Sequence, residues 1–146
     1  MTEAFHRLDF RVHVHATEVE DRVRKALAFV SGVEDPTVKR AEGHHGNPIS
    51  VLMASLRRSA DIRAFWDRVR ADGQIATVLA ELEKRLDARG QLSLRFDKQE
   101  AYRRRMKLVR HDDVVSVKGK VAAYPARRER ALEVARAYLQ EGRRRT

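Results

Sequence analysis

The chain has 146 residues, enough for one ordinary domain around a single apolar core, and its 42% apolar and 36% charged residues suit a globular rather than a disordered polypeptide. It contains no cysteine, which excludes disulfide staples, thiol nucleophiles and thiolate metal sites. The net charge of +10 is segregated: residues 1–88 hold 14 Lys and Arg against 14 Asp and Glu, whereas residues 89–146 hold 17 against 7.

A segregated excess creates a field on one side of the molecule, and such a field attracts polyanions, so nucleic acid is the first partner to consider. The start, Met1-Thr-Glu-Ala-Phe-His, lacks the apolar run of a signal peptide, and no apolar stretch approaches the roughly 20 residues that span a bilayer. A cytoplasmic protein without membrane contact is expected.

In chain order, Phe10, Val12 and Val14 alternate with Arg11, His13 and His15, as in a strand with one buried face. Thr17-Glu-Val-Glu20 reads as a capping box before Val19, Val23, Leu27 and Val30 at helical spacing, with Gly32 and Pro36 ending the helix. A short strand is expected at Val38–Glu42, then the loop Gly43-His-His-Gly-Asn-Pro48, then a nearly all-apolar strand at Ile49–Leu56. Ser59 is the expected N-cap of a helix carrying Ile62, Phe65, Trp66 and Val69. After Gly73 a second helical stripe runs through Ile75, Val78, Leu79, Leu82 and Leu86. Three strands are expected next, at Gln91–Phe96, Arg104–Val109 and Val114–Ala122. Pro125 is placed in the first turn of a closing helix with Leu132, Ala135, Tyr138 and Leu139 inward.

The expected fold is therefore α+β, a single domain over residues 1–146 with an open, mostly antiparallel sheet backed by helices in the order β-α-β-β-α-α-β-β-β-α. From Gly73 onward the order α-β-β-β-α is that of a double-stranded-RNA-binding domain.

Alternation along those last three strands sorts the basic residues. Leu92, Leu94, Phe96, Met106, Leu108, Val115, Val117 and Val121 face inward, which leaves Arg95, Arg103, Arg105, Lys107, Lys118 and Lys120 outside. Six cations without an acid on one sheet face repel one another unless phosphate or counterions neutralise them; the face is a phosphate site or a solvated surface. Arg127, Arg128 and Arg130 open the last helix, where backbone N–H groups and the helix dipole also favour phosphate, with Glu129 and Glu133 as offsetting charges. The expected outer sheet positions carry no Phe, Tyr or Trp, so stacking of single-stranded bases lacks a platform, and shape-guided contact with the backbone of structured or double-stranded RNA is favoured.

Histidines offer a different chemistry. His13 and His15 share a strand face, and His44 and His45 sit in a glycine-rich loop; with Asp97 or Asp113 they could hold a metal for hydrolysis, or they and Lys98 could be accessory RNA contacts. No HExxH, cysteine spacing or GxxxxGKS/T loop accompanies them. Asp97-Lys-Gln-Glu100 reads as a cap-like box forming a tight helical turn, and as an acid–base pair it has no nucleophile nearby.

Several segments together carry a family resemblance: His15-Ala-Thr-Glu18, Gly43-His-His-Gly-Asn-Pro-Ile49, Glu83-Lys-Arg-Leu-Asp87, Arg95-Phe-Asp-Lys-Gln-Glu-Ala-Tyr102, Asp113-Val-Val-Ser-Val-Lys118 and Tyr124-Pro125. Over nearly the whole chain the sequence resembles the archaeal family of small RNA-binding proteins with a double-stranded-RNA-binding-like fold, linked to the exosome. The resemblance implies a fold similar to that of the ribosomal protein that holds 5S RNA, and an accessory place in RNA processing or ribosome assembly. It carries over no catalytic residue and no cofactor. Family members usually have Gly after the tyrosine of the RFDKQ segment, where this chain has Arg103.

The function expected from the sequence is non-catalytic RNA binding. The alternatives are an interaction subunit docking an acidic partner and a metal-dependent hydrolase.

Overall fold

The computed structural model describes residues 4–42 and 48–144. Five strands form one antiparallel sheet: β1 (Phe5–Val14), β2 (Thr37–Glu42), β3 (Pro48–Leu56), β4 (Gln91–Asp97) and β5 (Val114–Val121), in the spatial order β2-β3-β1-β5-β4. The helices are α1 (Glu20–Ser31), α2 (Ser59–Ala71), α3 (Ile75–Ala80), α4 (Leu82–Arg85), α5 (Lys98–Tyr102) and α6 (Arg128–Arg144). The α+β architecture with an open antiparallel sheet is as the sequence implies.

The alternating pattern of β1 sends Leu8, Phe10, Val12 and Val14 to the helix-covered face and Arg7, Asp9, Arg11 and His13 to the other. β1 is central because both of its edges are paired, Arg11 standing opposite Met53 of β3 and Ser116 of β5. α1 and α2 pack on its covered face, and α6 lies against β5 and α2.

Phe65 and Trp66 of α2 are fully buried, as their helical spacing predicts. Phe65 meets Phe10 at 5.4 Å and Phe96 at 6.0 Å between ring centres, both edge-on, which ties α2 to β1 and β4. Burial of each such side chain stabilises the fold by about 1.5–3 kcal/mol. At Gly119 of β5 a side chain would have no room: a Cβ there would lie 2.8 Å from Leu8 and 3.2 Å from the Phe5 ring.

Four local expectations are corrected. The box at Thr17–Glu20 does not cap α1, whose N-cap is Val19; instead the Glu18 carboxylate accepts the His15 N–H at 3.0 Å while the Glu18 N–H donates to the His15 carbonyl at 2.9 Å, closing the turn before the helix. The N-cap of α2 is Arg58 rather than Ser59. Pro125 follows a cis peptide bond and precedes α6, which starts three residues later.

The fourth correction matters for the site. Residues 104–109 are not a ladder strand between β4 and β5; those two pair directly, from Gln91 opposite Lys120 to Asp97 opposite Val114. The Asp97 side chain accepts the Glu100 N–H at 2.8 Å and starts α5, and Arg104 then turns the chain at φ 65°. The returning segment runs along the outer edge of β4 as a single bridge, Phe96 to Leu108, with the Asp97 N–H bonded to the Lys107 carbonyl. Its other edge is taken by side chains: the Met106 N–H donates to Asp72 and the Leu108 N–H to Gln74, both from the turn after α2. Local alternation made this segment look like a strand, but side-chain acceptors satisfy the N–H groups that a further strand would use. The consecutive three-strand run of a double-stranded-RNA-binding domain is therefore not formed.

Candidate nucleic-acid interface

The face of the sheet opposite the helices is a shallow groove of about 790 Å³, lined by side chains of β1, β3, β4 and β5. Register assigns its charges. β1 contributes Arg7, Asp9, Arg11 and His13, β5 contributes Lys118 and Lys120, β4 contributes Arg95 and Asp97, and β2 contributes Lys39. Six cations thus meet two acids on one face, and both acids are already engaged. Asp9 accepts from Arg7 at 3.0 Å and from the Ser55 hydroxyl at 2.7 Å. Asp97 caps α5 and contacts the His111 ring at 2.9 Å.

Arg95 pairs at 2.9 Å with Asp112, a nearly fully exposed acid that also lines the groove, and Lys120 donates to the Arg89 carbonyl. Arg11 and Lys118 are exposed and have no ion-pair partner among the described residues. The rest of the floor is Ser55, Ser116, Met53 and Val114, with no Phe, Tyr or Trp side chain on the open face. The His13 imidazole is held below its ordinary value of 6.5, first by partial burial and then by the cations Arg11 and Lys98 and the neighbouring His15. It is a neutral donor–acceptor at the edge of a positive field.

A groove of this kind offers cations and hydroxyls to an extended polyanion. The model of a family described as RNA binding matches residues 7–121, a span that contains β2 to β5 and all but the first two residues of β1. The chain belongs to this RNA-binding family. The RNA-binding protein PAB1135 of Pyrococcus abyssi is 31% identical over 144 residues, covering 92% of this chain and 94% of that one. Among solved structures, the DUF54 protein Mth689 of Methanothermobacter thermautotrophicus is 39% identical with a TM-score of 0.83, covering 94% of this chain and 99% of that one. AF2318 of Archaeglobus fulgidus, also of DUF54, is 33% identical with a TM-score of 0.81, covering 91% and 98%.

The sequence-derived site residues of this family member divide into three groups. Arg95, Lys118, Lys120, His13 and His15 line or border the groove. Arg103, Arg105 and Lys107 lie on the turn and edge segment after α5 rather than on a strand of the sheet, and of the three Lys107 stands opposite Asp97 at the outer edge of the open face. Arg103 and Arg105 there share Glu100, at 3.5 and 3.7 Å.

At the start of α6, Arg128 is a clamp on α4: its guanidinium donates to the carbonyls of Glu83 at 2.6 Å and Leu86 at 3.4 Å. Arg130 pairs with Glu133 at 2.9 Å, and Arg127 is exposed. His44 and His45, with the rest of the Gly43–Asn47 segment, lie outside the described residues.

Lys98 is buried, with 3% of its side chain exposed, and its ammonium lies between Glu18 at 3.0 Å and Asp113 at 2.8 Å. This bears directly on the metal reading. His15, Glu18 and Asp113 do bring ligand atoms within 4.8 Å of one another. The Lys98 ammonium already supplies the cation there, and its charge would oppose a divalent ion.

Three cations of the open face were missed by sequence reasoning: Lys39 on β2, and Arg7 and Arg11 on β1. They belong to the electrically neutral half of the chain, and only the insertion of β1 beside β5 adds them to the basic set. The alternation of Arg11 and His13 with Phe10, Val12 and Val14 was the available signal.

Proposed function

We propose that the open sheet face grips structured RNA through its phosphate backbone, without catalysis. The observation that carries this is the pair Arg11 and Lys118, exposed on one face without acidic partners and flanked by Arg7, Arg95 and Lys120. Phosphate oxygens supply the missing counter-charge, and Ser116 adds a hydroxyl donor. Arg127 extends the basic surface at the start of α6. Lys107 extends the basic face at its outer edge, and Arg103 and Arg105 beyond it add long-range attraction.

The lack of aromatic residues on the face favours paired RNA over stacked single strands. A non-catalytic role is supported by the engagement of the candidate acid–base residues in structure: Asp97 is a helix cap, Glu100 an arginine partner, and Glu18 and Asp113 hold Lys98. A grip that holds RNA without cutting it suits an accessory role in RNA processing, with the exosome, or in ribosome assembly.

The test is the salt dependence of binding to a blunt RNA hairpin. With about four phosphates engaged, log affinity should fall against log salt with a slope of about −3. A slope near zero would overturn the reading.

A further inference from the structure

The most exposed large hydrophobic side chain among the described residues is not on the sheet face but at its end. Tyr124 is 75% exposed, three residues after β5. Its ring is nonetheless held: the hydroxyl lies 3.3 Å from His6 Nε2, and the two rings meet edge-on with centres 5.9 Å apart. Beside this ledge is a cavity of about 530 Å³ between the start of β1 and α6, with Val134 on its wall and Arg130, Glu133 and Glu141 among its lining residues.

The chemistry of the cavity differs from that of the groove. Two carboxylates disfavour a phosphate inside it and favour a group that carries N–H donors. The apolar wall and the exposed ring favour a flat π system. A nucleobase has both properties. The cavity lies at the end of the β1–β5 pair, where the Ala122 N–H is bonded to the Ala4 carbonyl, and Arg7 opposite Lys120 is the next basic pair along those strands.

We propose that the Tyr124–His6 ledge and its cavity receive one unpaired nucleobase flanking the paired RNA held on the sheet. This rests on the reading of the open face as the RNA grip. The base stacks on Tyr124 and donates from its edge to the Glu133 carboxylate, whose Oε2 is already held by Arg130 at 2.9 Å and whose other oxygen takes the base.

The experiment compares three hairpins with one stem: blunt, with a three-nucleotide 5′ overhang, and with a three-nucleotide 3′ overhang. One overhang should raise affinity about tenfold over the blunt stem, the scale of one base stacked on an aromatic side chain. Tyr124→Ala should erase that gain and leave blunt-stem affinity and salt slope as in the wild type; Tyr124→Phe should keep it. A 2-aminopurine at the first unpaired position should be quenched by the wild type and by Tyr124→Phe, but not by Tyr124→Ala. Equal affinity of the wild type for all three hairpins, or a Tyr124→Ala variant that keeps the gain or weakens all three alike, would overturn the ledge. If the blunt stem binds with the expected salt slope, the backbone reading survives that result; if no hairpin binds, both readings fall.

Discussion

The ammonium of Lys98 lies 2.8 Å from the Asp113 carboxylate at the start of β5, although the lysine belongs to a helix that packs on the opposite side of the sheet edge, against α1. With Glu18 on its other side, this one buried charge joins α5, β5 and the turn between β1 and α1. The two carboxylates keep partial access to water, which reduces the penalty when their cation is removed. Lys98→Met should therefore lower stability by about 2 kcal/mol, less than the loss for a fully buried pair, as read from urea denaturation, while RNA affinity at low denaturant changes little.

The same contact sets an acid limit. Asp113 is held below the ordinary carboxylate value of 3.8, first by its hydrogen bond from Lys98 and against the opposing effect of burial. A carboxylate depressed on folding stabilises the protein above its unfolded value, and that contribution is lost as pH falls through the folded value. The stability difference between wild type and Lys98→Met should thus be full at neutral pH and shrink below about pH 3.8; a difference that stays constant to pH 2 would contradict the assignment.

Charge reversal separates the groove from the turn after α5. Arg11→Glu with Lys118→Glu should weaken hairpin binding by at least about a hundredfold and flatten the salt slope, since two phosphate contacts become repulsions. Arg105→Glu with Lys107→Glu changes net charge equally but alters the edge segment after α5 rather than the lining of the groove, so a loss of about tenfold or less is expected. Equal losses in fluorescence anisotropy would place both surfaces in contact with RNA.

His13 reports on phosphate entry. In the free protein its value is below 6.5, so the unfolded chain takes up a proton first on acidification and His13 lowers stability as pH falls through that region. A phosphate in the groove favours the imidazolium, which raises the value in the complex. Binding should therefore strengthen as pH drops from about 8 to 6, and a His13 ring resonance followed by NMR should titrate at higher pH with RNA than without it.

Gly119 tests the packing that supports the groove from beneath. Gly119→Ala places a methyl group against Leu8 and the Phe5 ring, and the crowding should cost about 1–3 kcal/mol in thermal or urea unfolding. Gly73→Ala is a control, because a Cβ there meets nothing within 4 Å and only the φ of +70° opposes it.

Much of the architecture was legible because local patterns state which way a side chain faces. Phe10, Val12 and Val14 marked the covered face of β1, and Phe65 with Trp66 marked the core stripe of α2. The cap-like box at Asp97–Glu100 also read correctly, since its bond is between residues three apart. Met106 and Leu108 misled, because their alternation is real while the partners of their N–H groups, Asp72 and Gln74, lie 34 residues away. Tyr124 entered only through the Tyr124-Pro125 segment of the resemblance: its contact with His6 depends on the end of β5 meeting the start of β1.

By itself the sequence determined that the basic excess is carried by the C-terminal part, that amphipathic helices cover one face of a sheet, and that no thiol chemistry is available. Only the tertiary structure decided that β1 lies between β3 and β5, which sets Arg11 diagonally across from Lys118 on one face and leaves Arg103 and Arg105 on the turn after α5. The physical reason is that side-chain direction follows from neighbours along the chain, whereas strand adjacency follows from which apolar faces pack best across the whole core.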